Sequence, residues 1–337
     1  MLNRIKKHEA PVAVQFIQKV KDDARSAFFL RYAPVIVLVF MTVLSIVFVD
    51  HFFSRDNLVN FLYQMSLPLI LATGLSFVLL IGGIDLSLEG VMGCSGAVFS
   101  LLVINSVNDN NFGVFAVAAV IALSFALGTA TGMAHIKMRI PSFMISFAMG
   151  NIARGLGLLS YRTQPAIIKS ERIIAFSQGT LFGIPNIAIV AFAVFAAGCI
   201  ILNLTAFGRA VYAVGNNEVS ARSSGIDVNR VKLISFIICS VSAGIAGIMG
   251  AVLLKVGQVG IGDNMLFPTI AAVTVGGLTP GVGGMMQTFI GVAIYTELVN
   301  YLTLLGVSSI FKQAIQGIII LVAVALSAPR LKKVIVK

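Results

Sequence analysis

The strongest constraint on this chain is a succession of apolar runs, most of them 17 to 26 residues long, set between short polar or basic stretches. An α-helix needs about 20 apolar residues to cross a bilayer, because each residue advances it by about 1.5 Å. Within lipid every backbone polar group must be satisfied internally, and a helix does this by itself. The runs predict an all-α, polytopic membrane protein of about ten transmembrane helices. Their expected bounds are Ala33–Val49, Leu58–Gly83, Gly90–Val107, Phe112–Ala134, Pro141–Tyr161, Ile187–Leu204, Val231–Lys255, Leu266–Gly277, Met286–Leu305 and Ile310–Ala328. The segment Leu266–Gly277 is too short to cross alone. With 58% apolar residues, 11% charged and a mean hydropathy of +0.99, little chain remains for an aqueous domain. A soluble enzyme is excluded.

The basic residues give the orientation. Of 24 Lys and Arg, 17 fall in residues 1–33, 135–140, 205–232 and 329–337, which share a side if the chain threads through in order. The positive-inside rule makes that side cytoplasmic, with both termini there. This also accounts for the net charge of +11 without nucleic acid as a partner. Residues 1–32 form a polar N-terminal segment in which Ala13, Phe16, Ile17, Val20, Ala24, Ala27 and Phe28 recur at helical spacing. That pattern predicts a helix lying on membrane lipid. Residues 33–328 form the membrane domain, with a cytoplasmic loop at 205–232, and 329–337 form a basic tail. Cys94, Cys199 and Cys239 sit in apolar runs without paired spacing, as expected of reduced, non-ligating thiols.

Glycine and proline mark the close contacts. Gly128 and Gly132 form a small-xxx-small pair that lets two helices approach. Gly90, Gly93 and Gly96 share their spacing with Gly244, Gly247 and Gly250. A segment interrupted by Pro68 and ending Gly82-Gly83 is echoed by one containing Pro268 and ending Gly276-Gly277, a pattern found in internal transporter repeats.

No catalytic constellation, metal set or nucleotide-binding P-loop is present. His8, His51 and His135 fall in interhelical or terminal stretches. Polar residues within spans are costly and point to function: Gln64, Asp85, Glu89, Asn151, Arg154, Glu297, Asn300 and Lys312. Arg154 and Lys312 are candidates either to snorkel to the membrane surface or to form a structural pair, with Glu297 as a partner. Only Glu297 is a clear intramembrane acid, too few for an ordinary ion-coupled carrier. Gln64, Ser87, Asn151 and Thr274 are the candidate path-lining residues. Pro68, Gly82, Gly83, Asp85, Arg154, Pro268, Gly276 and Gly277 are candidate structural or gating positions.

The stretch Gly208–Lys232 carries the clearest local signals. Asn216 or Asn217 can cap a short helix beginning at Glu218, whose charge favours the helix N-terminus. Gly225 fits the C-terminal cap, and Asp227 precedes the return to the membrane. A helix this short cannot fold alone and fits a knob inserted into a partner's groove.

From about Phe52 to Ala328 the chain resembles the permeases of bacterial ABC importers for ribose and other simple sugars, a superfamily shared with branched-chain amino-acid permeases. The resemblance rests on Gly82-Gly83-Ile84-Asp85-Leu86-Ser87, Arg154-Gly155, Gly208–Lys232, Ile270–Gly277 and Leu304–Ser309. It implies a second permease subunit, identical or similar, two ABC ATPase subunits that bind ATP and Mg, and an extracytoplasmic sugar-binding protein. This chain would bind no cofactor and would sit in the bacterial inner membrane. The helix at Glu218 would be the coupling helix: Glu218, Ala221 and Gly225 match the family's Glu-Ala-Ala…Gly loop, with Ser220 replacing its middle small residue. Gly215, Asn217 and Asp227 complete the expected ATPase-coupling set. One departure lies before Ile270, where sugar permeases commonly carry an acidic Glu-Leu-Asp-type pair and this chain has Met265-Leu266-Phe267-Pro268. It could mark a different substrate or one member of a heterodimer. A branched-chain amino-acid permease and an autonomous ion-coupled carrier are the alternative readings.

Overall fold

A computed structural model describes residues 32–49, 52–161, 164–308, 310–312, 314–315 and 317–318. The amphipathic N-terminal segment, most of the last span and the basic tail lie outside the described residues. The fold is helical throughout its core. Helix α1 covers Tyr32–Phe48, followed by α2 (Arg55–Leu80), α3 (Leu88–Leu101), α4 (Val114–Met138) and α5 (Ser142–Tyr161). Then come α6 (Glu171–Gln178), α7 (Asn186–Leu204), α8 (Ala206–Asn216), α9 (Glu218–Ser223), α10 (Val228–Leu254), α11 (Leu266–Val275) and α12 (Met285–Leu304). Five of them, α2, α4, α5, α7 and α10, are long and apolar enough to cross a membrane. The chain is a polytopic all-α membrane protein.

Helices α2 and α10 form the centre, and α10 packs against α2, α3 and α4. Small residues set this spacing. Gly96 of α3 faces Gly247 of α10, where a Cβ on Gly96 would lie 2.9 Å from the Gly247 carbonyl oxygen. Gly128 and Gly132 of α4 lie against Ile237, Ser240 and Leu233 of α10. Of the two glycine runs with matching spacing, Gly96 and Gly247 meet in this crossing, while Gly90 and Gly93 pack on Gly150 and Val259. Helices α4, α5 and α7 turn residues such as Phe125, Phe147, Leu159 and Ile200 outward, as lipid-facing helices do.

Several elements differ from the sequence expectation. Helix α2 runs unbroken through Pro68, so that segment is not interrupted. The third segment is a helix of only 14 residues, Leu88–Leu101, because it stops six residues short of the expected end, where the Leu102 amide turns back to Phe99 O and Asn105 bridges to Ile168. His135 belongs to the last turn of α4, where its Nδ1 lies 2.7 Å from the Ile140 carbonyl and closes the α4–α5 turn. The loop after α5 is ordered rather than merely polar. Strand β1 (Ala166–Ile167) pairs antiparallel with β4 (Val256–Gly257), and β2 (Thr180–Leu181) pairs with β3 (Ile184–Pro185). Alternating apolar patterns over two residues leave no periodic signal, so sequence reasoning has nothing to detect there.

Candidate functional site

The site is built from the end of the molecule that carries α9. Thr205 caps α8, its hydroxyl accepting from the Gly208 amide at 3.2 Å. Asn217 separates α8 from α9 in extended conformation and caps α9, its side chain accepting from the Ser220 amide at 2.9 Å. At the other end Gly225 takes a left-handed conformation, φ 84°. Its amide donates to Arg222 O at 3.0 Å while the Ile226 amide donates to Ala221 O at 3.1 Å. This is the Schellman arrangement, which closes a helix with glycine because other residues are strained there. Asp227 then caps α10 through the Arg230 amide at 3.1 Å. Of the two asparagines, Asn217 is the cap, and Asn216 ends α8.

Glu218 ties α9 to the base of α10. It accepts from Lys232 Nζ at 2.8 Å and Arg222 at 3.4 Å, and the Lys232 bond holds its carboxyl below the usual carboxylate range. The helix is anchored by buried Ala221, while Val219 stands 75% exposed.

Helix α8, missed in the sequence, is the seat of α9. Its buried stripe, Gly208, Val211 and Val214, recurs three apart, a helical signal that the sequence carried. Phe207 stacks on Phe77 of α2. At its far end α8 meets two chain reversals together. Tyr212 donates its hydroxyl to Gly283 O at 2.8 Å, and the Asn216 side chain donates through Nδ2 to Gly281 O at 3.4 Å. Gly215 lies against the Leu80 carbonyl, where a Cβ would also fall 2.6 Å from the Gly281 nitrogen. The Gly281 amide donates to Leu80 O at 2.8 Å. The turn after α2 and the turn between α11 and α12 are thereby fastened to each other and to α8. Gly82 (φ 79°) and Gly277 (φ 97°) provide the reversals themselves, while Gly83 and Gly276 serve through close packing.

From the first reversal the chain climbs back along α5. The Ile84 amide donates to Ser142 Oγ at 3.0 Å and the Leu86 amide to Ser146 Oγ at 2.9 Å. Gly90 then packs on Gly150. Gly150 is eight residues into α5, about 12 Å from the α9 end. Helix α3 therefore begins near mid-depth, and α11 begins beside it. The Leu266 amide donates to Glu89 Oε1 at 2.9 Å, so an acid of one short helix caps the start of the other. Pro268 lies in the first turn of α11, where its missing N–H costs nothing.

Asp85 is fully buried and accepts from the Ser87 amide at 2.8 Å and the Ser87 hydroxyl at 2.6 Å. Ser87, a candidate path residue, is itself buried, with its hydroxyl committed to Asp85. Asn151 is exposed on α5 beside a cavity of about 210 Å³ that Glu89, Arg154 and Phe267 also wall. Thr274 donates to Ile270 O near the end of α11. Gln64 stands apart from these, on a second cavity with Pro68 and Pro268.

The expected pairing with Glu297 is not observed. Arg154 forms a two-pronged ion pair with Asp263, at 2.7 and 3.2 Å. Lys312 donates to Thr303 Oγ at 3.0 Å, and Glu297 accepts from Thr42 Oγ of α1 at 3.1 Å. The reason is placement. Arg154 sits on α5, which packs on α3 and α4, whereas Glu297 on α12 turns toward α1. Asp263, a loop acid 109 residues from Arg154, carried no signal in the sequence.

One reversal leads into the short helix α3 and the other is reached through the short helix α11, and both helices begin near mid-depth, as re-entrant elements of membrane permeases do. The family is established by comparison: a model described as "Branched-chain amino acid transport system / permease component" matches residues 57–324, and the chain belongs to that family. It is 35% identical over 280 residues to the ribose import permease protein RbsC of Escherichia coli K12, covering 81% of this chain and 86% of that one. The Bacillus subtilis 168 protein of the same name is 32% identical over 88% of this chain and 92% of its own. The L-arabinose transport system permease protein AraH of E. coli K12 is 30% identical, over 87% and 89%. No solved structure gives a significant match.

Proposed function

We propose that this chain is the translocation subunit of an ATP-driven importer that passes a simple sugar, ribose or a related monosaccharide, into a bacterial cytoplasm. The observation that carries the reading is the fastening of α8 to both chain reversals, with α9 held out beyond it. A partner ATPase would grip α9 from the cytoplasm, bind ATP and Mg itself, and close on hydrolysis-linked cycles. Because Tyr212, Gly215 and Asn216 touch both reversals, displacement of α9 would reach α3 and α11 together. That pair flanks the cavity of about 210 Å³, so their movement exchanges outward for inward access. Each partner drives this exchange only through preferring one state. The sugar relatives favour a sugar over a branched-chain amino acid as cargo.

A second permease subunit, identical or similar, is supported by Arg154 and Asp263. Their side chains remain 44% and 42% exposed, and Arg154 lies about 18 Å along a helix of about 30 Å. A charged pair at that depth is costly against lipid. The face therefore fits a subunit interface or a water-filled path shared by two copies, with a sugar-binding protein docking above. The excess of Lys and Arg in the loops on the α9 side supports a cytoplasmic α9 and cytoplasmic termini in the inner membrane.

The test is uptake of labelled D-ribose, L-arabinose, hexoses and L-leucine by cells expressing the chain with its ATPase and binding protein. ATP-dependent accumulation of a pentose without leucine uptake is expected. Leucine uptake alone would overturn the reading.

A further inference from the structure

A cavity of about 570 Å³ opens between α9, the α4–α5 turn and the start of α10, and neither the coupling scheme nor the path uses it. Its polar walls are His135 and Arg139 at the end of α4, Glu218 and Arg222 of α9, and Asn229 and Lys232 of α10. Three permanent cations therefore face one acid. These groups can be reached by a ligand: the side chains of Arg222, Glu218 and Lys232 are 59%, 44% and 18% exposed, and Arg139 is exposed as well.

The acid does not neutralise the set. Glu218 holds Arg222 on Oε1 and Lys232 on Oε2, and Arg139 makes no hydrogen bond or ion pair among the described residues. Two positive charges are left over. Arg139 also stands at φ 56°, ψ 28°, just past the end of α4, a left-handed position that ordinarily falls to glycine or asparagine. An arginine there carries a conformational cost that no contact among the described residues offsets.

Surplus cations repel a metal ion and give a neutral solute little, but they suit an oxyanion. A guanidinium matches phosphate oxygens two at a time, and an ammonium adds a point charge. Ile136, Ile140 and Pro141 supply an apolar wall beside the charges. The turn joins α4 to α5, both long enough to cross a membrane, and Met138 and Phe143 on either side of it are 61% and 47% exposed. Headgroups lie at the level of such turns, and a basic pocket between spans suits their phosphates.

We propose that this cavity binds a phosphate group, that of an anionic lipid headgroup or of a soluble phosphate, between Arg139 on one side and Arg222 and Lys232 on the other. The ligand would bridge α9 and the α4–α5 turn. The inference is independent of the cargo.

The test uses the full-length chain in maltoside detergent, which contains no phosphate, with Asn229→Cys as a reporter on the cavity wall. Its alkylation by a small maleimide is followed at that peptide by mass spectrometry. Phosphatidylglycerol and sodium phosphate are added in separate arms, and slowing by about fivefold or more in either supports the site. Slowing by the lipid alone makes the headgroup the source, and slowing by sodium phosphate alone makes it a soluble anion. Adding Arg139→Asn, which removes the charge and suits the left-handed turn, should raise the half-protecting concentration by about tenfold or more, as expected for a lost charge-assisted hydrogen bond. Lys137→Gln, which removes a nearby cation outside the cavity wall, should change it by less than about twofold. Absence of protection in both arms overturns the site, including the case in which only the partner ATPase protects. Protection undiminished in Arg139→Asn, weakened equally by Lys137→Gln, or given equally by net-neutral phosphatidylcholine also overturns it.

Discussion

The α9 region and the Gln64–Asn300 region use polar residues in opposite ways. Around α9 each cap is closed locally: Asn217 on Ser220, Gly225 and Ile226 on the last carbonyls, Asp227 on Arg230, and Glu218 between two cations. Among Gln64, Thr296 and Asn300 three buried atoms are left over. A segment whose polar groups are satisfied among themselves moves as one body and can carry a load. A segment whose buried donors and acceptors go unmet is less stable for their burial. The first arrangement suits a lever.

Breaking the lever has the largest effect. Glu218→Lys places a third cation beside Lys232 and Arg222. Gly225→Trp adds a side chain whose Cβ meets no atom of the described residues within 4 Å, at a backbone angle that resists side chains. Either change should reduce sugar uptake to background while the amount of protein in the membrane is unchanged, measured by uptake and immunoblot of membrane fractions. Gly215→Leu should come next, lowering uptake at least tenfold, because any side chain there drives α8 off Leu80 and Gly281. Binding-protein-stimulated ATP hydrolysis, followed alongside, should lose its dependence on sugar in this variant.

Stability then separates the two regions by sign. Asn217→Ala removes a satisfied cap and should cost about 1 kcal/mol. Thr296→Val replaces an unpartnered buried hydroxyl with a methyl of the same shape and should be neutral or stabilising by up to about 1 kcal/mol. Thermal unfolding of the two variants in one detergent checks both, and two shifts in the same direction would dissolve the contrast.

The smallest effect is on pH. Because Lys232 lowers the Glu218 carboxyl below its ordinary value of 4.5, the pair's contribution is fully present above that value and fades as pH falls through the lowered one. The linkage of α9 should thus be flat from pH 8 to 5 and weaken only in stronger acid, and Glu218→Gln should remove that acid step. Hydrogen exchange of the α9 amides resolves it.

Much of the lever was legible because its signals are local: Asn217, Glu218, Gly225 and Asp227 lie within eleven residues. The family motifs likewise located both reversals. Depth was not legible, since the apolar run from Gly90 to Val107 is equally compatible with a full span and with α3, a 14-residue helix starting mid-membrane. Pairings across the fold were hidden for a related reason. Gln64, Glu297 and Asn300 each stood out as costly polar residues, but which of them meet depends on how α1, α2 and α12 pack. Arg154 drew attention through its charge, whereas its partner Asp263 sits in a loop where an acid is ordinary.

The central claim is that this chain is a gate moved from outside through α9. Labelled D-ribose accumulation in proteoliposomes, comparing the chain alone with the chain plus its ATPase, ATP and binding protein, tests it most directly. The account predicts an internal concentration never above the external one for the chain alone, and uphill accumulation only for the full set. Uphill accumulation by the chain alone, driven by an ion gradient, would contradict it.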